Sequence, residues 1–161
     1  MGKEVKTNAM RILEKQKVPY ELLTYECDDF IDGIHVADKT GTPYEQSFKT
    51  LVMEGKSGNY YVFVVPIAKE VDRKAAARAV GEKTVDMIHV KDIQKVTGYI
   101  RGGCSPIGMK KQYVTVFDES AGNFEEIYVS GGRIGTTLKV SVEGLLKVSR
   151  GKLAPITMGE E

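Results

Sequence analysis

Two pairs of adjacent glycines are the residues of this chain whose type and setting best suit chemistry. Gly102-Gly103 and Gly131-Gly132 lie in two segments that interrupt the hydrophobic periodicity, residues 98–108 and 130–135, which we call the first and second glycine loops. Glycine lets a backbone approach a ligand closely and point its N–H groups at an oxygen, as in the stabilisation of an oxyanion. The alternative is a pair of tight turns with positive φ. The first segment lacks Gly-x-x-x-x-Gly-Lys-Ser/Thr and neither has Gly-x-Gly-x-x-Gly after a strand, which disfavours nucleotide hydrolysis and dinucleotide redox chemistry.

A side-chain nucleophile is harder to assign. Cys104-Ser105 follows the first glycine pair, but Ser105 precedes a proline and no Gly-x-Ser-x-Gly elbow is present. His35 and His89 are isolated in the sequence, and a lone histidine is more often a surface or capping residue than a general base. Cys27 and Cys104 have no second cysteine or histidine at ligand spacing. We therefore expect neither a nucleophilic triad nor a metal site or disulfide framework.

Lys49 stands between Phe48 and the apolar run 51–53, where a core strand is expected to begin. Such a lysine lies either on the solvent side of an edge strand or at the mouth of a pocket. Frequency alone favours the edge strand, because buried lysine is rare.

The charge of the chain is uneven although its total is small. With 23 basic and 22 acidic side chains the net charge is +1, so bulk charge does not indicate a nucleic-acid partner. Residues 91–113 and 133–152 nevertheless each carry a local charge of +4. The two basic segments could converge on one face and hold a phosphate backbone. Solvated faces are the alternative, which charge alone favours.

The glycine segments lie between predicted elements. Helices are predicted over 7–17, 31–40, 72–80, 90–96 and 142–148, and strands over 20–25, 48–54, 60–66, 113–117, 125–129 and 136–140. Thr7 is the expected N-cap of the first helix, and Gly41 and Gly81 are expected to end the second and third. A Gly-Lys-Ser-Gly-Asn turn between two apolar runs indicates a hairpin. The tail 151–161 is expected to be frayed.

Helices and hairpins mix without regular βαβ alternation. This order predicts an α+β fold, a single domain over 1–161 with a mixed sheet curled towards a barrel and flanking helices. Its length and its composition of 42% apolar and 28% charged residues fit one globular domain. The longest apolar run, 60–67, is far shorter than the roughly 20 residues that span a bilayer. No secretory signal is visible, so a cytoplasmic protein without a membrane partner is expected.

Three segments in this order resemble one known family. They are Phe-Lys-Thr-Leu at 48–51, Thr-Gly-Tyr-Ile-Arg-Gly-Gly-Cys-Ser-Pro-Ile-Gly-Met-Lys-Lys at 97–111 and Ile-Tyr-Val-Ser-Gly-Gly-Arg at 127–133. The chain resembles the YbaK family of Cys-tRNA(Pro) deacylases, which is related to the editing domain of bacterial prolyl-tRNA synthetases. The resemblance implies a free-standing editor that needs no cofactor and hydrolyses the ester between a wrong amino acid and the terminal adenosine of tRNA(Pro).

The resemblance also implies roles for individual residues. The catalytic residues are Lys49, Gly102 and Ser130. The substrate-binding residues are Tyr20, Phe30, Thr50, Tyr99, Gly103 and Gly131. Phosphates near the acceptor end would meet Arg101, Lys110, Lys111 and Arg133, if both glycine loops border one site. Many relatives carry an aspartate where this chain has Thr137, so no role of that carboxylate transfers.

The substrate's own thiol is expected to attack the ester in enzymes of this kind, which accounts for the missing base and leaves Cys104 without a catalytic duty. Four cations cannot read a distant anticodon, so prolyl-tRNA synthetase is the expected partner beside tRNA(Pro). DNA is not an expected partner, and a homodimer is left open. Two alternatives stay open, an Ala-tRNA(Pro) deacylase and a non-catalytic module that binds tRNA or a synthetase.

Overall fold

The two most apolar runs of the chain pair as the predicted hairpin. The computed structural model describes residues 6–26 and 32–158. In it, strands Phe48–Gly55 and Tyr60–Pro66 are antiparallel, with Phe48 opposite Pro66. Gly58 lies in the connecting turn with a φ of 95°, a conformation that glycine adopts at no steric cost.

The hairpin belongs to the larger of two sheets. The strands are β1 (Tyr20–Thr24), β2 (Phe48–Gly55), β3 (Tyr60–Pro66), β4 (Val85–Met87), β5 (Val114–Asp118), β6 (Glu126–Ser130), β7 (Thr136–Ser141) and β8 (Lys152–Ala154). The larger sheet has the order β4-β2-β3-β5-β8, and its β3-β5 and β5-β8 pairs are parallel. The smaller sheet, β1-β7-β6, is antiparallel. The predicted mixed-sheet α+β class is confirmed.

The two sheets meet where β2 passes β6. A parallel bridge joins Ser47, just before β2, to Tyr128 on β6. The sheets curl around a shared core that includes Phe117, Leu138 and Leu145, and they do not close into a barrel. Burial of this apolar surface is the main favourable contribution to the fold.

The helices are α1 (Asn8–Lys15), α2 (Gly33–Thr40), α3 (Arg73–Val80), α4 (Ile93–Thr97) and α5 (Val142–Ser149). The predicted caps are present. The Thr7 hydroxyl accepts a bond from the Met10 N–H at 3.2 Å, and Gly41 and Gly81 end α2 and α3 in the left-handed conformation. In the described part of the chain, no helix is long and apolar enough to cross a bilayer.

The expectation of a frayed tail is wrong for residues 152–158. β8 pairs with β5, and Ile156 is fully buried. The buried Asp118 carboxylate accepts a bond from the Ile156 N–H at 3.1 Å and one from the Thr157 hydroxyl at 3.2 Å. A strand of three residues is too short to show a period of two in sequence, so the anchoring of the tail had no periodic signal.

Candidate active site

A cleft of about 510 Å³ opens beside the contact between β2 and β6. It is lined by α2, the first half of β2, the segment from β4 to α4, the first glycine loop, and the adjoining ends of β6 and β7. The motifs that carry the resemblance therefore converge on one cavity. Pockets of this size are the usual sites of small ligands.

Lys49 lies in this cleft. It is half-buried on β2 opposite Val65 of β3. β4 pairs only with residues Met53–Gly55 of β2, so it does not cover Lys49. β2 therefore has a neighbour on both sides near its C-terminal end and on one side only near Lys49. Lys49 thus lies on an edge of the sheet and also in a pocket. The Lys49 ammonium forms no hydrogen bond or ion pair with another described residue.

The carboxylate of Asp32 interacts electrostatically with Lys49 across the cleft. Asp32 precedes α2 and accepts bonds from the His35 N–H at 3.0 Å and from its ring Nδ1 at 2.7 Å. These bonds hold the pKa of the Asp32 carboxyl below its usual range, and the charge of Lys49 lowers that pKa further. Sequence reasoning missed Asp32 in the cleft, although an Asp-Gly step before a helix is a recognisable N-cap signal.

Two hydroxyls join Lys49. The Thr50 Oγ1 is buried, lines the cleft and has no hydrogen-bond partner among the described residues. Ser130 ends β6, and its Oγ accepts a bond from the Gly132 N–H at 3.3 Å. Because an unpaired buried hydroxyl costs free energy, a ligand that pairs with Thr50 recovers that cost.

Thr137 faces Ser130 across the β6-β7 ladder and lines the same cleft. It is only 6% exposed. The position at which the resemblance would place a carboxylate therefore holds a neutral hydroxyl inside the pocket.

The first glycine loop contributes backbone donors. Gly102 has a φ of 87° and lines the cleft, as does Cys104. Within residues 6–26 and 32–158, the N–H groups of Gly102 and Cys104 have no hydrogen-bond partner. The Gly103 N–H is used by the Ile100 carbonyl at 2.9 Å. Unpaired backbone N–H groups at a cavity wall are the donors that an oxyanion requires.

Gly103 and Gly131 serve the packing of the loops and do not line the cleft. A Cβ on Gly103 would come within 2.7 Å of the Arg133 Cα, so only glycine lets the two loops touch here. The Gly131 N–H donates to the Thr136 carbonyl at 3.1 Å, and its own carbonyl accepts from the Thr7 hydroxyl at 2.6 Å. The tight-turn interpretation therefore describes the second pair.

Tyr20 and Tyr99 also lie outside the cleft lining. Tyr20 starts β1 at the end away from the cleft, and its hydroxyl donates to the Glu14 carboxylate at 2.7 Å. Burial raises the pKa of Tyr20 to about 12. The Tyr99 hydroxyl donates to the Ile107 carbonyl at 2.7 Å and so ties the two ends of the first glycine loop together. Tyr25, just beyond β1, lines the cleft instead, and Phe30 lies outside the described residues.

The four predicted phosphate-binding cations do not form one ring. Arg101 lines the cleft, whereas Lys110 and Lys111 line a separate groove. The Lys110 ammonium donates to the Lys95 carbonyl at 3.0 Å, at the end of α4. The backbone of Arg133 packs closely against Gly103. The sequence shows that Arg101, Lys110 and Lys111 are close along the chain. It does not show that the chain leaves the cleft between Arg101 and Lys110 and enters a separate groove.

An apolar wall was also missed by the sequence reasoning. Met87, Ile88, Val90 and Ile93 line the cleft, and Met87 and Val90 are about half exposed, at 51% and 55%. Met87 ends β4, Ile88 follows it, Val90 starts a short 3-10 turn and Ile93 starts α4. Elements this short give no clear periodic signal.

The thiol of Cys104 is not poised as a nucleophile. It is a free cysteine, and burial raises its pKa to about 12. Because the thiolate is the reactive form, this thiol is almost wholly unreactive near neutral pH. Among the described residues, no three His, Cys, Asp or Glu side chains gather as a metal site.

Comparison with known proteins gives three kinds of match. The aminoacyl-tRNA editing domain family matches residues 34–148. The Enterococcus faecalis protein EbsC, assigned as a Cys-tRNA(Pro)/Cys-tRNA(Cys) deacylase, is 43% identical over 156 residues, covering 96% of this chain and 95% of EbsC. A solved structure assigned as a trans-editing enzyme for prolyl-tRNA synthetase has a TM-score of 0.82 and 22% identity, covering 97% of this chain and 100% of its own.

A further solved structure, of a hypothetical protein, has a TM-score of 0.84 at 20% identity and covers 94% of this chain and 99% of its own. At such low identity the two structures show a shared fold only. The family match and the EbsC alignment extend over most of the chain and include Lys49, Gly102 and Ser130. The chain therefore belongs to the family of aminoacyl-tRNA editing domains, as the resemblance to YbaK proteins indicated.

Proposed function

We propose that this protein is a trans-editing deacylase that hydrolyses the ester of mischarged Cys-tRNA(Pro). The observation that carries the proposal is the 43% identity to EbsC over nearly the full length of both chains. The cleft supports it with groups suited to an activated ester. They are a lysine ammonium without a hydrogen bond or ion pair, a hydroxyl and two backbone N–H groups, all of them unpaired within the part of the chain that the structure describes. The tRNA is the macromolecular substrate that the family implies.

The chemistry needs no nucleophile from the protein. The thiol sulfur of the cysteinyl group attacks its own ester carbonyl carbon, and the bond to the ribose oxygen of the terminal adenosine breaks. The thiol proton passes to that oxygen, and water then opens the cyclic thioester to give free cysteine. The protein must hold the thiol near the carbonyl and stabilise the negative charge that develops on the carbonyl oxygen.

Each cleft group has a role in this scheme. The N–H groups of Gly102 and Cys104 supply donors for the carbonyl oxygen, and Lys49 supplies a fixed positive charge for the substrate's oxygens. Thr50 and Ser130 position the substrate through their hydroxyls. A thiol requirement also gives selectivity, because an alanyl or prolyl ester of the same tRNA contains no side-chain thiol.

Prolyl-tRNA synthetase is the proposed partner. Arg101 is the cation of the predicted set that lines the cleft, and a single arginine at the ester cannot read an anticodon. The structural relative assigned as an editor for prolyl-tRNA synthetase is consistent with a shared partner. Pull-down of the purified synthetase, with and without tRNA(Pro), tests this association.

One assay tests the proposed function directly. Purified protein is incubated with Cys-tRNA(Pro), Cys-tRNA(Cys), Ala-tRNA(Pro) and Pro-tRNA(Pro), and loss of each ester is followed. We expect loss of the cysteinyl esters only. Faster loss of Ala-tRNA(Pro) would instead make the protein an alanyl editor, and tRNA binding without ester loss would make it a binding module.

Replacement of Cys104 by alanine should leave most of the deacylase activity intact. The Cys104 thiol is protonated near neutral pH, and the attacking sulfur belongs to the substrate. We expect kcat/KM for Cys-tRNA(Pro) to change less than about threefold, because the backbone donors of the loop remain. An inactive Cys104→Ala variant, with an acyl adduct trapped on Cys104 of the unmodified protein, would contradict the substrate-assisted mechanism.

A further inference from the structure

A second cavity, which we call the basic groove, lies beside the cleft. It has a volume of about 510 Å³ and is lined by the last turn of α1, residues 106–113, Thr115 on β5 and the end of α5. Its cations are Lys15, Lys110, Lys111, Lys147 and Arg150, and no carboxylate is among the described residues that line it. The protein as a whole carries a net charge of only +1, so this groove concentrates positive charge.

Most of these cations have no counter-charge in the part of the chain that the structure describes. Lys15, Lys111, Lys147 and Arg150 are exposed and form no ion pair or side-chain hydrogen bond with another described residue. Lysines in the last turn of a helix do stabilise its dipole, which explains Lys15 on α1 and Lys147 on α5. That explanation does not cover Lys111, which lies on a loop. Four unpaired cations around one concave surface repel each other unless an anion lies between them.

Arg150 adds an independent observation. It ends α5 with a φ of 58°, whereas glycine occupies the left-handed position that ends α2, α3 and α4. The other described non-glycine residue with positive φ is Lys17, just after α1. A side chain in this conformation costs backbone strain that glycine avoids. An arginine held there against the backbone preference indicates a use for its side chain.

The groove and the cleft are joined by one loop. Residues 101, 102 and 104 line the cleft, and residues 106–113 line the groove. Consecutive Cα atoms are about 3.8 Å apart, so Cys104 and Pro106 bring the two cavities within about 8 Å along the chain. A polymer that ends in the cleft reaches the groove after passing this short stretch of loop.

We propose that the basic groove binds the phosphate backbone of the tRNA acceptor arm whose 3′ end occupies the cleft. This inference rests on the proposed function, because an aminoacyl ester in the cleft remains attached to its RNA. Residues from both basic segments of the sequence, together with Lys15 of α1, then hold consecutive phosphates as point charges and through the arginine fork. The contacts are independent of sequence, so the groove supplies affinity and not tRNA identity.

The test compares Lys111→Gln/Lys147→Gln with Lys56→Gln/Lys83→Gln, an equal change in charge at exposed lysines that line neither cavity. The probe is uncharged tRNA(Pro), whose Kd is measured against KCl concentration. We expect the groove variant to bind about tenfold more weakly and its slope of log affinity against log salt to fall by about 1 to 2. Equal weakening in both variants, or an unchanged slope in the groove variant, would overturn the proposal.

Arg150→Gly separates binding from folding. This substitution removes the positive-φ side chain, so we expect the melting temperature to hold or rise while affinity for tRNA(Pro) falls severalfold. A lower melting temperature with unchanged affinity would assign Arg150 to the fold and remove it from the groove's function.

A short substrate keeps this proposal distinct from the proposed function. Hydrolysis of 3′-O-cysteinyl adenosine needs the cleft alone, so the groove variant should hydrolyse it at the rate of the unmodified protein while losing activity on Cys-tRNA(Pro). If the unmodified protein hydrolyses neither ester but its tRNA affinity still depends on the groove, the proposed deacylase function is wrong and the proposed role of the groove in tRNA binding is supported. If the groove substitutions abolish binding of prolyl-tRNA synthetase and spare tRNA binding, the groove is a protein interface and the proposal is wrong.

Discussion

Replacement of Lys49 by alanine should lower kcat/KM for Cys-tRNA(Pro) by about a hundredfold or more. A charged hydrogen bond to the substrate contributes roughly 2 to 3 kcal/mol, which corresponds to about a hundredfold in rate. The fold should persist, because the Lys49 ammonium forms no hydrogen bond or ion pair with a described residue. The measurement is single-turnover loss of the ester, with circular dichroism and melting temperature as checks on folding.

Two further variants make the result specific to the charge. Lys49→Met keeps most of the length of the side chain and removes only the ammonium, so it should be as impaired as Lys49→Ala. Lys56→Ala removes a lysine from the turn at the far end of β2 and should behave as the unmodified protein. Near-normal rates in both Lys49 variants would contradict a role in the reaction and would show that Lys49 is a solvated residue of an edge strand.

The elements of the fold were largely readable from sequence because their signals are local. A cap such as Thr7, glycine at Gly41 and Gly81, and the turn around Gly58 act within a few residues of the structure that they specify. The parallel pairing of β3 with β5 and of β5 with β8 joins segments far apart in the chain. Nothing in the local sequence pattern of β3, β5 or β8 specifies which distant strand it pairs with.

The predicted site residues also fall into two groups, those that lie in the cleft and those that do not. Lys49, Thr50, Gly102 and Ser130 lie together in the cleft as the resemblance implied. Tyr20 and Tyr99 do not, because a tyrosine can end in the core, at a loop contact or in a pocket with the same sequence neighbours. The distinction depends on the direction that each side chain takes from β1 or from the loop, and that direction is set by the packing of α1 against both.

The charge pattern of the two basic segments does not predict where they converge in the fold. Their convergence depends on where the end of α5 lies relative to the loop after Gly108, and the groove also includes Lys15 from outside both segments. Lys110 belongs to the first segment, yet its ammonium is engaged by a backbone carbonyl. Counting charges along the chain therefore identified the segments but not the cations that are free to bind.

Replacement of Gly102 by valine should be at least as damaging as loss of Lys49. Gly102 has a φ of 87° at the wall of the cleft, with an N–H that has no partner in the described part of the chain. A β-branched residue resists this conformation, so the peptide must rotate and the N–H must leave its position. Loss of one oxyanion donor typically lowers kcat by about 10² to 10³, and we expect a loss of that order in single-turnover hydrolysis of Cys-tRNA(Pro).

Gly58 provides a matched control for backbone strain. It has a φ of 95° in the β2-β3 turn, and a Cβ built there meets nothing within 4 Å. Gly58→Val should therefore lower the melting temperature about as much as Gly102→Val, since both carry the cost of a branched side chain at positive φ. Only Gly102→Val should lose hydrolysis of the cysteinyl ester. Equal activity loss in both variants would mean that strain and not the cleft donor causes the defect, and full activity in Gly102→Val would remove this loop from the reaction.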